Sequence, residues 1–320
     1  MDEKKAAPKV AHLEELDYLK SIMILLMVSF HLVHFSELYP YAKQVVYTFH
    51  MPVLIFISGY LMNIDKPVRQ FLSKIWWFFV PYAVMESGYV VMASLLPIRE
   101  HIDQLTMPLF LNKLVLHPLG PYWYLHTLML CGLVYYGISR LPRLKPLPRY
   151  ILIALLYALC AMAGILSLSI SFYFLAGIIL RHSGCPFLRV VQSSWLSLPA
   201  AAWLMASETN LSPATSGGAL IVYLVMSFLL VLYPLLRGSV RQCLLFIGRH
   251  TLVIFIFSPI FTILCKLLVP YLTFDHTGML FLLLSLLICI GGCFVIGWLM
   301  DVLRLSPFFF GKHLGLGPKA

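Results

Sequence analysis

The sequence predicts an all-α polytopic membrane protein: a bundle of about ten transmembrane helices with both termini cytoplasmic. Three observations predict it. Hydrophobic residues make up 61% of the 320-residue chain and charged ones only 11%, with mean hydropathy +0.89, whereas ordinary soluble domains run at ~45–50% and ~25%. The apolar residues gather in runs near the ~20 residues that cross a hydrocarbon core as a helix. The basic residues fall almost entirely in alternate connections, the pattern of cytoplasmic loops. This composition excludes a soluble enzyme, a disordered regulator and a nucleic-acid binder. The net charge of +10, from 23 Lys and Arg against 13 Asp and Glu, then reads as loops facing anionic lipid.

Each span follows in order from an apolar run and its flanks. The first, 16–35, comes after a tail (1–15) of mixed charge and is long enough to remain as an uncleaved anchor. Lys4, Lys5, Lys9 and Lys20 mark its start as inside. The second, 45–63, ends at an inner connection with Lys66, Arg69 and Lys74. The third and fourth, 75–96 and 121–139, return to Arg140, Arg143, Lys145 and Arg149. The fifth and sixth, 150–167 and 171–181, lead to Arg181 and Arg189. The sixth and the seventh, 194–206, are short, as tilted or partly buried helices are. The eighth, 217–236, reaches Arg237, Arg241 and Arg249. The ninth and tenth, 250–271 and 279–300, complete the transmembrane domain (16–303) before a cytoplasmic tail (304–320) with Arg304, Lys312 and Lys319. Nineteen basic residues lie inside; only Lys43, Arg99, Lys113 and Lys266 lie outside. None of the seven cysteines forms a CxxC pair and most sit in apolar runs, so neither a disulfide framework nor a zinc site is expected.

Ionisable groups inside spans are costly and mark function by default. The first span carries Asp17 and Lys20 in Leu16-Asp17-Tyr18-Leu19-Lys20, and His31 further along. Lys20 and His31 are eleven residues apart, close to three whole turns, so they share one face with ~16 Å of rise between them. Lys20 falls at the cytoplasmic mouth and His31 beyond the midplane, joining an anion-binding cation to a deeper titratable imidazole. Each also has a plain reading: Lys20 as a snorkelling lysine, His31 as a helix–helix hydrogen bonder. His34, His50 and His126 fall at a similar outer depth, and Glu86 near the middle of the third span. Imidazoles and a carboxylate converging on one pocket would be proton-transfer equipment. Taken singly, His34 and His126 read as interfacial, beside Trp123 and Tyr124. Positive-inside bias accounts for Arg181, His182, Arg249 and His250.

Several patterns occur along nearly the whole chain: Leu16-Asp17-Tyr18-Leu19-Lys20 with ten residues and then His31; Phe49-His50-Met51-Pro52 running on to Ser58-Gly59-Tyr60-Leu61; Lys74 with Pro81-Tyr82; Trp123-Tyr124-Leu125; and Ile247-Gly248-Arg249-His250-Thr251-Leu252. Together they resemble the acyltransferase-3 family of integral-membrane acyltransferases, the second pattern looking most like its fucose 4-O-acetylase-like members. Ser258-Pro259 stands where many members carry a histidine late in the ninth helix.

The resemblance implies a ten-span protein of the cell's inner membrane. It would move an acyl group, often acetyl, from cytoplasmic acyl-CoA to a hydroxyl of a cell-surface glycan, lipid-linked sugar or similar acceptor, without a metal or nucleic acid. A CoA donor brings phosphates, for which Lys20, Lys74, Arg181 and Arg249 are the candidate cations. The acceptor hydroxyl is a poor nucleophile and needs an imidazole of near-neutral pKa to remove its proton. His31 is assigned that role; His50 would orient His31, hold the acceptor or stabilise the oxyanion. Asp17, Glu86 and His126 are further candidates. Gly59 and Ser58 would let the second helix approach the first. A transporter or lipid flippase is the alternative, for which Glu86 is the one secure midplane carboxylate. A haem protein ligated through His31, His50 and His126 is a third reading.

Overall fold

The computed structural model describes residues 12–95, 101–142 and 144–317. Most of the amino-terminal tail and Lys4, Lys5, Lys9, Arg99, Arg143 and Lys319 of the charge pattern lie outside the described residues. Lipid offers no hydrogen bonds, so a spanning backbone must satisfy its own N–H and C=O groups; no strand occurs among the described residues. In chain order the helices are α1 (Glu14–His31), α2 (Val33–Leu38), α3 (Pro40–Leu61), α4 (Val68–Leu95), α5 (Met107–Val115), α6 (Trp123–Ser139) and α7 (Pro146–Met162). Then come α8 (Leu168–His182), α9 (Phe187–Val190), α10 (Ser197–Met205), α11 (Ser216–Leu232), α12 (Gly238–Arg249), α13 (Thr251–Leu264), α14 (Met279–Val302) and α15 (Ser306–Phe310).

Among the described residues, five helical stretches are long and apolar enough to cross a membrane: α3, α4, α11 extended to Leu235, α13 extended to Tyr271, and α14. The shorter α7 and α8 are also apolar. Every predicted span contains a helix, with bounds that shift by several residues, and three of the shifts bear on the site or the span itself. The first breaks at Leu32, whose ψ of 101° is extended, so α1 ends on His31. The third starts earlier than expected, at Val68, and thereby carries Lys74 on α4. The seventh holds only the nine residues of α10. That is ~13.5 Å of helix, less than half of a ~30 Å hydrocarbon core.

The bundle is organised around α3, whose apolar window is 67% buried against 22% for α14. Its broadest contact is with α8. A Cβ at Gly59 would meet the Phe174 carbonyl, and one at Gly177 the Phe56 carbonyl. These glycines bring the two backbones together, the small-residue packing that membrane helices use in place of a hydrophobic driving force. The expectation that Gly59 and Ser58 seat α3 on α1 is corrected: Gly59 faces α8, and the Ser58 hydroxyl meets the Tyr124 hydroxyl of α6 at 2.9 Å. Helix α12 crosses the start of α1, with Gly248 against the Asp17 backbone. Past α15 the chain folds back under the bundle, where Asp301 accepts from the N–H groups of Leu314 (2.9 Å), Leu316 (2.9 Å) and Gly317 (3.2 Å).

Candidate active site

Three cavities follow α1 from its N-terminal end to His31 and beyond, and are called inner, middle and outer in that order. The innermost, about 220 Å³, is walled by Lys20, Ser58, Lys74, Tyr124, Thr251 and Phe255 among others. Asp17 sits one turn before Lys20 and pairs with its Nζ at 2.8 Å, the spacing at which helix side chains are neighbours. Asp17 also meets Arg249 Nε at 3.4 Å and His12 Nε2 at 2.9 Å. Lys74 is different: the charges facing it are Lys66, Arg181 and Lys312. A cleft lined by one sign of charge between low-dielectric walls concentrates the opposite charge, so this mouth suits a polyanion.

The middle cavity, about 360 Å³, is lined by His31, Tyr47, His50, Pro52, Trp123 and Phe255 with other residues. Phe255 belongs to the walls of both this cavity and the inner one. Each histidine is held by its own helix. His31 Nδ1 donates to the Met27 carbonyl at 2.6 Å, and His50 Nδ1 to the Val46 carbonyl at 2.7 Å. A carbonyl only accepts, so the bond assigns the proton to Nδ1 and leaves the Nε2 lone pair as the basic site of a neutral ring. The Tyr47 ring lies 6.1 Å from the His31 ring and 5.2 Å from the His50 ring. Pro52 adds to this arrangement by removing the N–H that would bond the Thr48 carbonyl, loosening α3 beside His50.

The outer cavity, about 300 Å³, includes His31, Lys43, Tyr47, Ser258, Thr262 and Lys266 in its wall. Met27, His31, Tyr47 and Pro121 are common to it and the middle cavity. The three spaces thus form a sequence from Lys20 and Lys74, past Phe255 and His31, to Lys43 and Lys266.

The structure brings together four of the residues singled out from sequence, Lys20 and Lys74 at the inner cavity and His31 and His50 at the middle one. It separates the others. Arg181 is buried and donates from Nη1 to the Tyr60 carbonyl at 3.0 Å. It is not part of the inner wall and reaches Lys74 only as a neighbouring charge. Arg249 is likewise occupied outside that wall, by Asp17 at 3.4 Å and Glu14 at 4.0 Å. Asp17 serves as the shared counter-ion. Glu86, fully buried, accepts from the Leu119 N–H at 2.6 Å and so anchors the loop ahead of α6. The interfacial reading of His126 is corrected. His126 is 5% exposed, and its ring Nε2 bonds the Val115 carbonyl at 2.7 Å, tying α6 to the end of α5. His34 packs edge-on to Phe281, with ring centres 5.0 Å apart. His31 Nδ1 is held by the Met27 carbonyl.

Sequence reasoning missed Tyr47, Tyr124 and Phe255 as cavity walls. Tyr47 had a visible signal, since it precedes His50 by one helical turn. Phe255 had none, being one aromatic in the apolar run Leu252-Val253-Ile254-Phe255. Among the described residues no group of three His, Cys, Asp or Glu side chains is arranged to hold a metal.

Neither a curated protein nor a solved structure matches the chain. A family model described as an acyltransferase domain does match, over residues 13–298. That range takes in α1 with Lys20 and His31, α3 with His50 and α13 with Phe255, and the chain belongs to the acyltransferase-3 family.

Proposed function

We propose that this membrane acyltransferase moves an acetyl group from cytoplasmic acetyl-CoA to a hydroxyl of a cell-surface glycan or lipid-linked sugar. In this reading it spans the inner membrane ten times with both termini cytoplasmic. The observation that carries it is the shared wall at Phe255, which joins a cationic inner cavity to one lined by two imidazoles. Lys20 and Lys74 bind the CoA phosphates by charge-assisted hydrogen bonds. The pantetheine arm runs along the face of α1 shared by Lys20 and His31, whose ~16 Å of rise matches its reach. His31 Nε2 removes the acceptor's hydroxyl proton as the oxygen attacks the thioester carbonyl. The tetrahedral intermediate collapses by breaking the C–S bond, and the leaving thiolate takes the proton from the imidazolium. The products are the ester and free CoA, and the imidazole is again neutral. His50 lies across Tyr47, where it donates to or accepts from the acceptor.

The test is direct. Purified protein in lipid nanodiscs is given acetyl-CoA labelled in the acetyl group, and surface glycans from a deletion strain are weighed by mass spectrometry. Release of CoA thiol with label in a glycan, and loss of an acetyl mass in the deletion strain, are expected. Label that stays on CoA together with unaltered glycan masses would reject the reading.

A further inference from the structure

The outer cavity is an unusual place for positive charge. Sequence places only four basic residues on the outer side, Lys43, Arg99, Lys113 and Lys266, and two of them stand in the wall of the cavity that contains His31. They come from different elements, Lys43 from the first turn of α3 and Lys266 from the 3-10 turns that continue α13. Two cations converging from distant parts of the chain are a tertiary feature, and positive-inside bias argues against both.

No acidic side chain among the described residues balances them. No Asp or Glu lines the cavity, and neither lysine forms an ion pair among the described residues. Lys43 makes one long hydrogen bond to the Ser36 hydroxyl, 3.3 Å, and lies 5.7 Å from the centre of the Tyr47 ring. That ring also neighbours His31 and His50, and Lys43 and His31 line the same cavity. Hydroxyls complete the surroundings: Ser36, Ser258 and Thr262 share the wall. Two ammonium groups and several hydroxyls in one cavity wall suit an anion that carries further hydroxyls. A neutral sugar would form no ion pair with either ammonium.

We propose that the acceptor is anionic: Lys43 and Lys266 hold a carboxylate or phosphate of the acceptor in the outer cavity and set a neighbouring hydroxyl against His31. This inference rests on the acyl-transfer reading for its meaning, but its test does not depend on turnover. The full-length protein is placed in nanodiscs of phosphatidylcholine, whose headgroups carry no net charge. Carbethoxylation of His31 by diethyl pyrocarbonate is followed by peptide mass spectrometry in the presence of methyl glucuronide, glucose 1-phosphate or methyl glucoside. These are a carboxylate, a phosphate and a neutral probe of one sugar size.

At least one anionic probe is expected to protect His31 at a concentration about tenfold or more below that of methyl glucoside, the scale of one charge-assisted hydrogen bond. Lys43→Gln and Lys266→Gln should each reduce that advantage, and the double variant should erase it. Which anion protects better tells an acidic sugar from a phosphorylated one. Equal protection by all three probes, protection by none, or an advantage that survives the double variant would overturn the inference. Protection by anions without label transfer from acetyl-CoA to any acceptor would leave the anion site standing and reject the acyl-transfer reading instead.

Discussion

Lys20 and His31 stand on the same face of one helix, yet their surroundings are built in opposite ways. At the inner end of α1 charge is held by charge. Asp17 lies among Lys20, His12 and Arg249, and Glu14 meets Arg241 at 2.8 Å. At the outer end His31 is held by one carbonyl of its own helix, and His50 on α3 repeats the device. Asp17 is buried, but its partners Lys20 and Arg249 are 20% and 50% exposed and free to exchange, so in the proposed function this cationic mouth captures and releases a charged donor. Deeper in the bundle an ion would be costly, whereas a neutral imidazole needs only one local acceptor to fix its tautomer. In the proposed function this difference separates binding by charge from proton transfer by a neutral base.

The sharpest way to break that comparison is at His31. His31→Ala should lower acyl transfer by ~10²–10⁴-fold, the usual range for general-base assistance, while acetyl-CoA affinity and the melting temperature stay near wild type. Initial rates of label transfer measure it, and wild-type turnover in this variant would remove the base from His31.

The inner cavity should respond in binding instead. Lys74→Met and Lys20→Ala should each raise the KM for acetyl-CoA by ~10–100-fold through loss of a charged hydrogen bond, with kcat within a few-fold. Lys74 should show the larger change, because Lys20 spends part of its interaction on Asp17. A fall in kcat at unchanged KM would merge the two cavities into one functional unit.

Structural contacts sharpen the comparison from outside the cavities. Gly177→Leu forces a side chain against the Phe56 carbonyl and should cost ~1–3 kcal/mol of overpacking, read as a lower melting temperature in detergent. His126→Ala removes the bond to Val115 and should likewise lower the melting temperature by the ~1–3 kcal/mol of a buried unmet acceptor. The acetyl-CoA KM should not move. A KM change in His126→Ala would tie the outer loop to donor binding.

The smallest effect belongs to the exposed edge of the inner network. The Tyr233 hydroxyl and then the Arg241 guanidinium hold the Glu14 carboxyl below its ordinary pKa. A depressed carboxylate stabilises the fold at pH values above its unfolded pKa and loses that contribution as pH falls through the folded one. Glu14→Gln should therefore flatten the melting temperature between pH 5 and 3, lowering it slightly near pH 7, where salt screens exposed pairs, and converging with wild type at the acid end. A large loss of stability at neutral pH would show that α12 is held chiefly by this pair.

Much of the site was legible because it is local. The eleven-residue separation of Lys20 and His31 acquires its meaning from helix geometry alone, and α1 runs unbroken between them. The rest depended on which helices touch. Arg181 and Arg249 have the charge and the inner position that a donor site wants, but burial commits one to the Tyr60 carbonyl and helix crossing commits the other to Asp17. His126 has the flanks of an interfacial residue, and only the return of α5 covers it.

Composition, apolar run length and the placement of basic residues were enough for a helical membrane protein, since in lipid every backbone group must be satisfied within its own segment. Spacing along α1 and α3 was enough to nominate Lys20, His31 and His50. Membership of one cavity was a matter of tertiary structure. Gly59 against α8 sets where α3 lies, α3 brings Tyr47 and His50 to His31, and α13 supplies Phe255 where the inner and middle spaces meet. The physical reason is that periodicity reports which way a side chain points on its own helix, whereas the identity of its neighbour is decided by close packing between segments far apart in the chain.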